Sequence, residues 1–257
     1  MITLEVKELC FDIDNKKLLK DISLEIESGT MVGLIGPNGS GKSTLLKNIY
    51  RVLKPTGGCI YIEDKRIQEL TNKEVAKRMA VVSQDDIATG FDFKVIDIIL
   101  MGRYAHKSLF DSNNHSDIEV ALKALRRVEM EEYYDRNFLS LSGGEKQRVM
   151  IARAICQQSN ILIMDEPTNH LDIKHQLNII EYIKSLKLTT FIAIHDINIA
   201  ATFCDKLIVL KDGMVRYTGY PGEIVTSSML KEVFEVEAEI IQNPKTKRIN
   251  VLYTSSY

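Results

Sequence analysis

Gly36-Pro37-Asn38-Gly39-Ser40-Gly41-Lys42-Ser43-Thr44 stands between the apolar run Met31-Val32-Gly33-Leu34-Ile35 and Leu45-Leu46. It fits the P-loop pattern G-x-x-x-x-G-K-[ST]. Glycines at 36, 39 and 41 let the backbone turn tightly and bring successive N–H groups to a phosphate. A helix beginning near Lys42 adds its positive dipole end and unpaired N–H groups. Lys42 is placed to reach the β- and γ-phosphates, and the Ser43 hydroxyl to ligate Mg²⁺. The context suits the motif: a strand precedes it, Leu45, Leu46, Ile49, Tyr50 and Leu53 follow at helical spacing, and Pro55, Gly57 and Gly58 end the helix. These residues imply binding of a nucleoside triphosphate.

The chain of 257 residues is long enough for one substantial domain with subdomains. Lys and Arg total 33 against 35 Asp and Glu, which argues against a nucleic-acid-wrapping surface. Cys10, Cys59, Cys156 and Cys204 are scattered without a C-x-x-C pair, as expected in a reducing compartment without a disulfide framework or zinc site. No apolar run approaches the roughly 18 residues of a bilayer span, and no signal-peptide pattern opens the chain. A cytosolic location is expected, with any membrane reached through a partner.

Residues 3–28 alternate apolar and polar, with turns at Asp14-Asn15-Lys16-Lys17 and Glu27-Ser28-Gly29-Thr30. They read as an antiparallel β lead-in to the strand before the P-loop. Cys59 to Ile62 and Ala80 to Ser83 give two more short strands. Gln84 follows the second, where it either begins a loop or offers its amide oxygen to a metal from a strand end. From Asp92 to about Asn137 the spacing turns helical, through Val95, Ile98 and Ile99 and then through Ile118, Ala121, Leu122 and Leu125. This block reads as an all-helical insertion into an α/β core.

Leu141-Ser142-Gly143-Gly144-Glu145 precedes a helical stretch. Ser142 and Glu145 form an S-x-x-E capping box. Gly143 and Gly144 are poor helix formers, at about 1 kcal/mol each relative to Ala, yet their bare N–H groups suit an anion. Capping and anion binding are compatible here. Ile161-Leu162-Ile163-Met164-Asp165-Glu166 reads as a strand buried on both faces that ends in two carboxylates. Asp165 can hold Mg²⁺ as the partner of Ser43, and Glu166 can orient or deprotonate a water aimed at the γ-phosphate. Thr190 to Ile194 is another core strand, ending at His195, a candidate contact to the γ-phosphate. Lys211-Asp212-Gly213-Met214 is a D-G turn. A short helix (Ser228 to Phe234) and a hairpin about Asn243-Pro244-Lys245 close the chain.

Together these residues resemble the nucleotide-binding subunit of an ABC transporter, over nearly the whole chain. The most specific element is Leu141-Ser142-Gly143-Gly144-Glu145, the family's signature motif, about 20 residues ahead of Asp165-Glu166, its Walker B pair. Asn169-His170-Leu171-Asp172 looks like its D-loop, Gln84 its Q-loop glutamine and His195 its switch histidine. The resemblance implies a P-loop NTPase with a RecA-like core, an N-terminal antiparallel β subdomain and an inserted helical subdomain (about 92–145). One ATP-binding domain would span 1–257 and include a C-terminal hairpin at about 236–253. Glu166, His195 and Gln84 would be catalytic, and Ser43, Gln84 and Asp165 would hold Mg²⁺. Two copies would sandwich two ATPs, each P-loop facing the other copy's Ser142-Gly143-Gly144.

Met101-Gly102-Arg103-Tyr104-Ala105-His106, Thr168 to Asp172 and His195-Asp196-Ile197-Asn198 look like the subunits that power uptake of iron–siderophore, haem or cobalamin. That implies integral membrane permease subunits, an extracytoplasmic substrate-binding protein, no nucleic acid, and a peripheral place on the cytoplasmic face of the membrane. Two positions depart from the group: Ala105 where proline is common, and Ile13 where an aromatic residue usually stacks on adenine. Phe11 would share a strand face with Ile13, so either could meet the base. Competing readings are an ABC-type ATPase acting on ribosomes or DNA, and a P-loop kinase of small molecules. A single P-loop without sustained heptads disfavours the first, and the second leaves the Ser-Gly-Gly turn with only a capping role.

Overall fold

The computed structural model describes residues 1–83, 93–108, 111–168 and 171–254. Gln84, Asn169 and His170 lie outside the described residues. Along the chain the elements run β1 (Ile2–Ile13), β2 (Lys16–Glu27), β3 (Met31–Ile35), α1 (Lys42–Ile49), β4 (Gly57–Ile62), β5 (Lys65–Arg66), α2 (Asn72–Arg78), β6 (Met79–Val82), α3 (Val95–Leu100), α4 (His115–Arg127), α5 (Gly143–Cys156), β7 (Ile161–Asp165), α6 (Ile173–Ser185), β8 (Thr189–Ala193), α7 (Ile197–Phe203), β9 (Lys206–Lys211), β10 (Met214–Gly219), α8 (Pro221–Ile224), α9 (Ser227–Met229), β11 (Ala238–Gln242) and β12 (Ile249–Tyr253). They divide into two compact units, one of residues 1–68 with 187–257 and one of residues 69–186.

In the first unit β1 and β2 form the expected antiparallel hairpin, turning through Asp14 and Asn15 at φ 48° and 62°. Short polar side chains tolerate this left-handed region, which the hairpin turn requires. β4 pairs with the other edge of β1, and β5 with β4. A second set of strands places β3 between β8 and β9, all parallel, with β10 antiparallel on β9. Every residue of β3 and of β8 is buried, as the continuous apolar runs required. At the end of the chain β11 and β12 pair as a hairpin, and the short helix before them is Ser227–Met229 widened into a π turn over Leu230–Phe234.

In the second unit β6 and β7 pair in parallel, and β7 is buried throughout. Helices α3 and α4 both pack on α5. The buried face of α4 differs from the one its spacing suggests. Ile118 is 40% exposed, while Asp117 is buried and Ala121, Ala124 and Leu125 face the core. The cause is electrostatic. Asn114 and Asp117 close a capping box at the start of α4, and the Asp117 carboxylate also meets Arg103 Nε at 3.1 Å and Lys107 Nζ at 2.8 Å. Satisfying that carboxylate fixes the rotation of the helix and turns Ile118 outward. Arg103 goes on to donate to the Cys156 carbonyl at 2.9 Å, so the Met101–His106 turn is tied to both α4 and the end of α5. Gly102 permits the approach: a Cβ there would lie 2.4 Å from the Arg153 carbonyl oxygen.

Candidate functional site

The phosphate-cradle residues all belong to the first unit. The chain leaves β3 at Ile35 and enters α1 at Lys42, as the motif demands. Gly36 has no room for a side chain, since a Cβ would lie 2.1 Å from the Leu210 carbonyl oxygen. Gly41 precedes α1 at φ 105°, a conformation open to glycine alone. No side-chain hydrogen bond caps α1 and no acidic residue occupies its first turn, which suits an anion at that helix start. Lys42 is buried and its ammonium donates to the carbonyls of Gly36 at 2.8 Å and Pro37 at 3.3 Å. That cation holds the loop open around its own charge. Ser40 Oγ is buried with no hydrogen-bond partner, an unsatisfied group inside the cradle. Asn38 and Gly39 are exposed at the lip, and Ser43 and Thr44 are partly buried on the first turn of α1.

The spacing of the motif does not reveal what braces it. The D-G turn between β9 and β10 sits against the loop: Gly213 N donates to the Ser40 carbonyl at 3.0 Å, and its own carbonyl accepts from Lys20 N at 2.8 Å. Gly213 is at φ 75°, and a Cβ would lie 2.2 Å from the Leu18 carbonyl oxygen. The turn was legible as a turn, but its grip on the P-loop was not. His195 follows β8, whose Ala193 pairs with Leu34 of β3, so it leaves the sheet at the strand end where Gly36 leaves. It is exposed there, and the next residue, Asp196, caps α7 by accepting from Ile199 N at 3.0 Å.

Phe11 and Ile13 differ in exposure: Phe11 is 8% exposed within β1, whereas Ile13, the last residue of the strand before the Asp14–Asn15 turn, is 50% exposed. The Phe11 ring is used in the core, and Ile13 is the more accessible of the two side chains.

The remaining candidates belong to the second unit. Ser142 caps α5 in a reciprocal box: its hydroxyl accepts from Glu145 N, while Glu145 Oε2 accepts from Ser142 N and Oγ, each at 2.8 Å. Those bonds hold the Glu145 carboxyl below the usual range. Gly143 opens onto free space, and a Cβ on Gly144 would lie 2.9 Å from Leu171 Cδ2. The small residue at 144 therefore keeps the signature turn close to the segment after β7. Asp165, 4% exposed, ends β7, and Glu166 follows at φ 51° in the left-handed region. For a non-glycine residue that conformation is uncommon, and such outliers gather at functional sites. The Gln176 side chain fastens the segment beyond, donating to the carbonyls of Thr168 at 3.1 Å and Leu171 at 3.0 Å. Asp172 caps α6 and bonds the His175 ring at 2.8 Å, and both contacts, the His175 N–H first, lower its pKa. Sequence reasoning missed Gln176, whose signal would have been an amide four residues past the cap.

A family model described as ABC transporter matches residues 19–169. The iron(3+)-hydroxamate import ATP-binding protein of Bacillus subtilis (strain 168) is 36% identical over 252 residues, covering 96% of this chain and 93% of that protein. Among solved structures, a metal-chelate type ABC transporter in an inward-facing conformation superposes with a TM-score of 0.84 at 26% identity, covering 100% of this chain and 98% of the other. A bacterial ABC transporter cassette solved as a dimer gives 0.75 at 29% identity, covering 85% and 98%. With its P-loop, signature turn and Asp-Glu strand end in the cassette order, this chain belongs to the ABC transporter family as an ATP-binding ATPase cassette.

Proposed function

We propose that the chain binds and hydrolyses ATP to drive an importer of a metal chelate through separate membrane subunits, as one of two identical copies. The observation that carries this is a glycine cradle ahead of α1 together with a second glycine-led helix start at α5, which Ser142 and Glu145 cap but where Gly143 leaves the backbone open. One chain needs a single triphosphate cradle, so the second start is reserved for the nucleotide of a twin copy. The hydroxamate-import relative and the dimeric cassette support both halves of the reading. Among the described residues no helix is long and apolar enough to cross a membrane. The import ATP-binding relative supports a cassette that works through permease subunits at the cytoplasmic face of the bilayer. An extracytoplasmic binding protein would deliver the chelate to them.

Mg²⁺ suits the donors on offer. Ser43 supplies a hydroxyl oxygen and Asp165 a carboxylate, hard ligands for a cation that keeps most of its coordination for water and phosphate. No group of three or more His, Cys, Asp or Glu residues forms an all-protein cage among the described residues. When bound, the ion would neutralise charge on the phosphate oxygens. Lys42 and the 36–41 amides bind and orient the triphosphate. Glu166 takes a proton from water as its oxygen attacks the γ-phosphorus and the bond to the β-phosphate oxygen breaks. His195 donates to a γ-phosphate oxygen. Gln84 is proposed as a further contact to water and metal.

Glu166→Gln tests the assignment. ATP affinity should stay within about twofold, turnover should fall by roughly 10²-fold or more, and an ATP-bound dimer should accumulate in gel filtration. Undiminished hydrolysis in the purified variant would refute the role given to Glu166.

A further inference from the structure

The strand β12 lies along α7, the helix whose cap, Asp196, directly follows His195, and all of these residues belong to the first unit. Among the described residues β11 and β12 form a sheet of two strands, which is marginal in water without a surface to pack on. α7 supplies that surface. At one end of the helix the Arg248 guanidinium stands 5.8 Å from the centre of the Phe203 ring. In the middle, Val251 N donates to Asn198 Oδ1 at 2.7 Å, and Asn198 Nδ2 donates to the Val251 carbonyl at 3.2 Å. At the other end, burial first and then the Asp196 charge raise the Tyr253 pKa, which places that carboxylate near the end of β12. The Asn198 contact uses main-chain groups that the hairpin leaves open. Asn243 N donates to the Arg248 carbonyl and Thr254 N to the Glu237 carbonyl, so alternation turns the N–H and C=O of Val251 away from β11. Asn198 meets both with one side-chain amide, as a third strand would.

We infer that Asn198 is a positioning residue for hydrolysis: by joining α7 to β12 it holds the backbone from which His195 reaches the γ-phosphate. The inference rests on the reading of His195 given above. His195 stands between two anchored residues. Before it, Ile194 N donates to the Leu34 carbonyl of β3 at 3.1 Å; after it, Asp196 caps α7. The first anchor belongs to the strand that leads into the P-loop, and the second moves with α7. This helix has 7 residues, too few to be stable alone, so packing sets its position. Ile197, Ile199, Ala200 and Ala201 are buried, but hydrophobic burial is non-directional. The paired bonds to Val251 fix the rotation of the helix, because hydrogen bonds weaken steeply when misaligned. A misplacement of about 1 Å can cost about 10²-fold in rate, so slack in α7 is felt at His195.

ATP hydrolysis by the full chain tests this, with His195→Ala, Asn198→Ala and the double variant compared in steady-state and single-turnover assays. Asn198→Ala should lower kcat roughly tenfold and leave the KM for ATP and the Kd for ADP within about twofold, since Asn198 is not part of the phosphate cradle. In the His195→Ala background the same change should cost less than about twofold, because the group it positions is gone. The ring Cε1–H signal of His195, assigned from its loss in His195→Ala, should shift in Asn198→Ala. If Asn198→Ala does not fold, Asn198→Asp decides: it keeps an acceptor for Val251 N, loses the donor to the carbonyl, and should lower kcat about three- to tenfold. Full kcat in the variant that folds, or an undiminished loss in the His195→Ala background, would overturn the inference while leaving His195 in its role. Normal hydrolysis by His195→Ala would instead overturn the reading of His195, and the inference with it.

Discussion

Replacing Asp117 with Asn keeps the shape of the side chain and removes one negative charge from a buried junction. Arg103, Lys107 and Asp117 side chains are 12%, 9% and 8% exposed there. The Lys107 ammonium, the Asn114 backbone N–H and the Arg103 guanidinium together hold the carboxyl down to about 2, against an ordinary 3.8, although burial alone would raise it. A displacement of nearly two pKa units corresponds to about 2.4 kcal/mol, and solvent screening at the rim reduces this to about 2 kcal/mol of stability. The sign follows from the depression: the stabilisation is complete above about pH 4 and is lost as pH falls through about 2. Asp117→Asn should therefore unfold about 2 kcal/mol more easily at neutral pH, more if the two stranded cations repel. The gap to wild type should fall to about half near pH 3. Urea unfolding followed by circular dichroism at pH 7, 5 and 3 reads both numbers. A variant as stable as wild type at pH 7, or a gap unchanged down to pH 3, would refute the reasoning.

Lys42→Ala removes the cation that holds the Gly36 and Pro37 carbonyls and should weaken ADP and ATP binding by roughly tenfold or more in calorimetry; unchanged affinity would count against the cradle. Gly213→Ala forces a side chain onto the Leu18 carbonyl at positive φ and should cost about 1–3 kcal/mol in urea unfolding while also loosening nucleotide binding through Ser40; normal stability would show that the turn does not brace the loop. Phe11→Ala should cost about 3–5 kcal/mol of stability, whereas Ile13→Ala should stay within about 0.5 kcal/mol and weaken ATP binding. An Ile13→Ala variant with full ATP affinity would remove Ile13 from the base contact.

Local chemistry was readable wherever one segment contains its own cause. The Ser142–Glu145 capping box, the turn through Asp14 and Asn15, and the fully buried β3, β7 and β8 all follow from residues within a few positions of one another. Ile118 was misread because helical spacing records hydrophobicity but not the distant cations that draw Asp117 inward. The unequal exposure of Phe11 and Ile13 was not legible because alternation does not record where a strand ends, and Ile13 is the last residue of β1, beside the turn.

The sequence by itself determined the phosphate cradle, the signature turn and the carboxylate strand end, since in each the chemistry needs fixed residue types at fixed short spacing. Tertiary structure alone decided that Gly213 grips Ser40 and that Gln176 fastens the segment after Glu166. Those pairings join residues far apart in the chain or turn on which face of a helix is buried. Spacing along the chain does not encode either, because both depend on how whole elements pack.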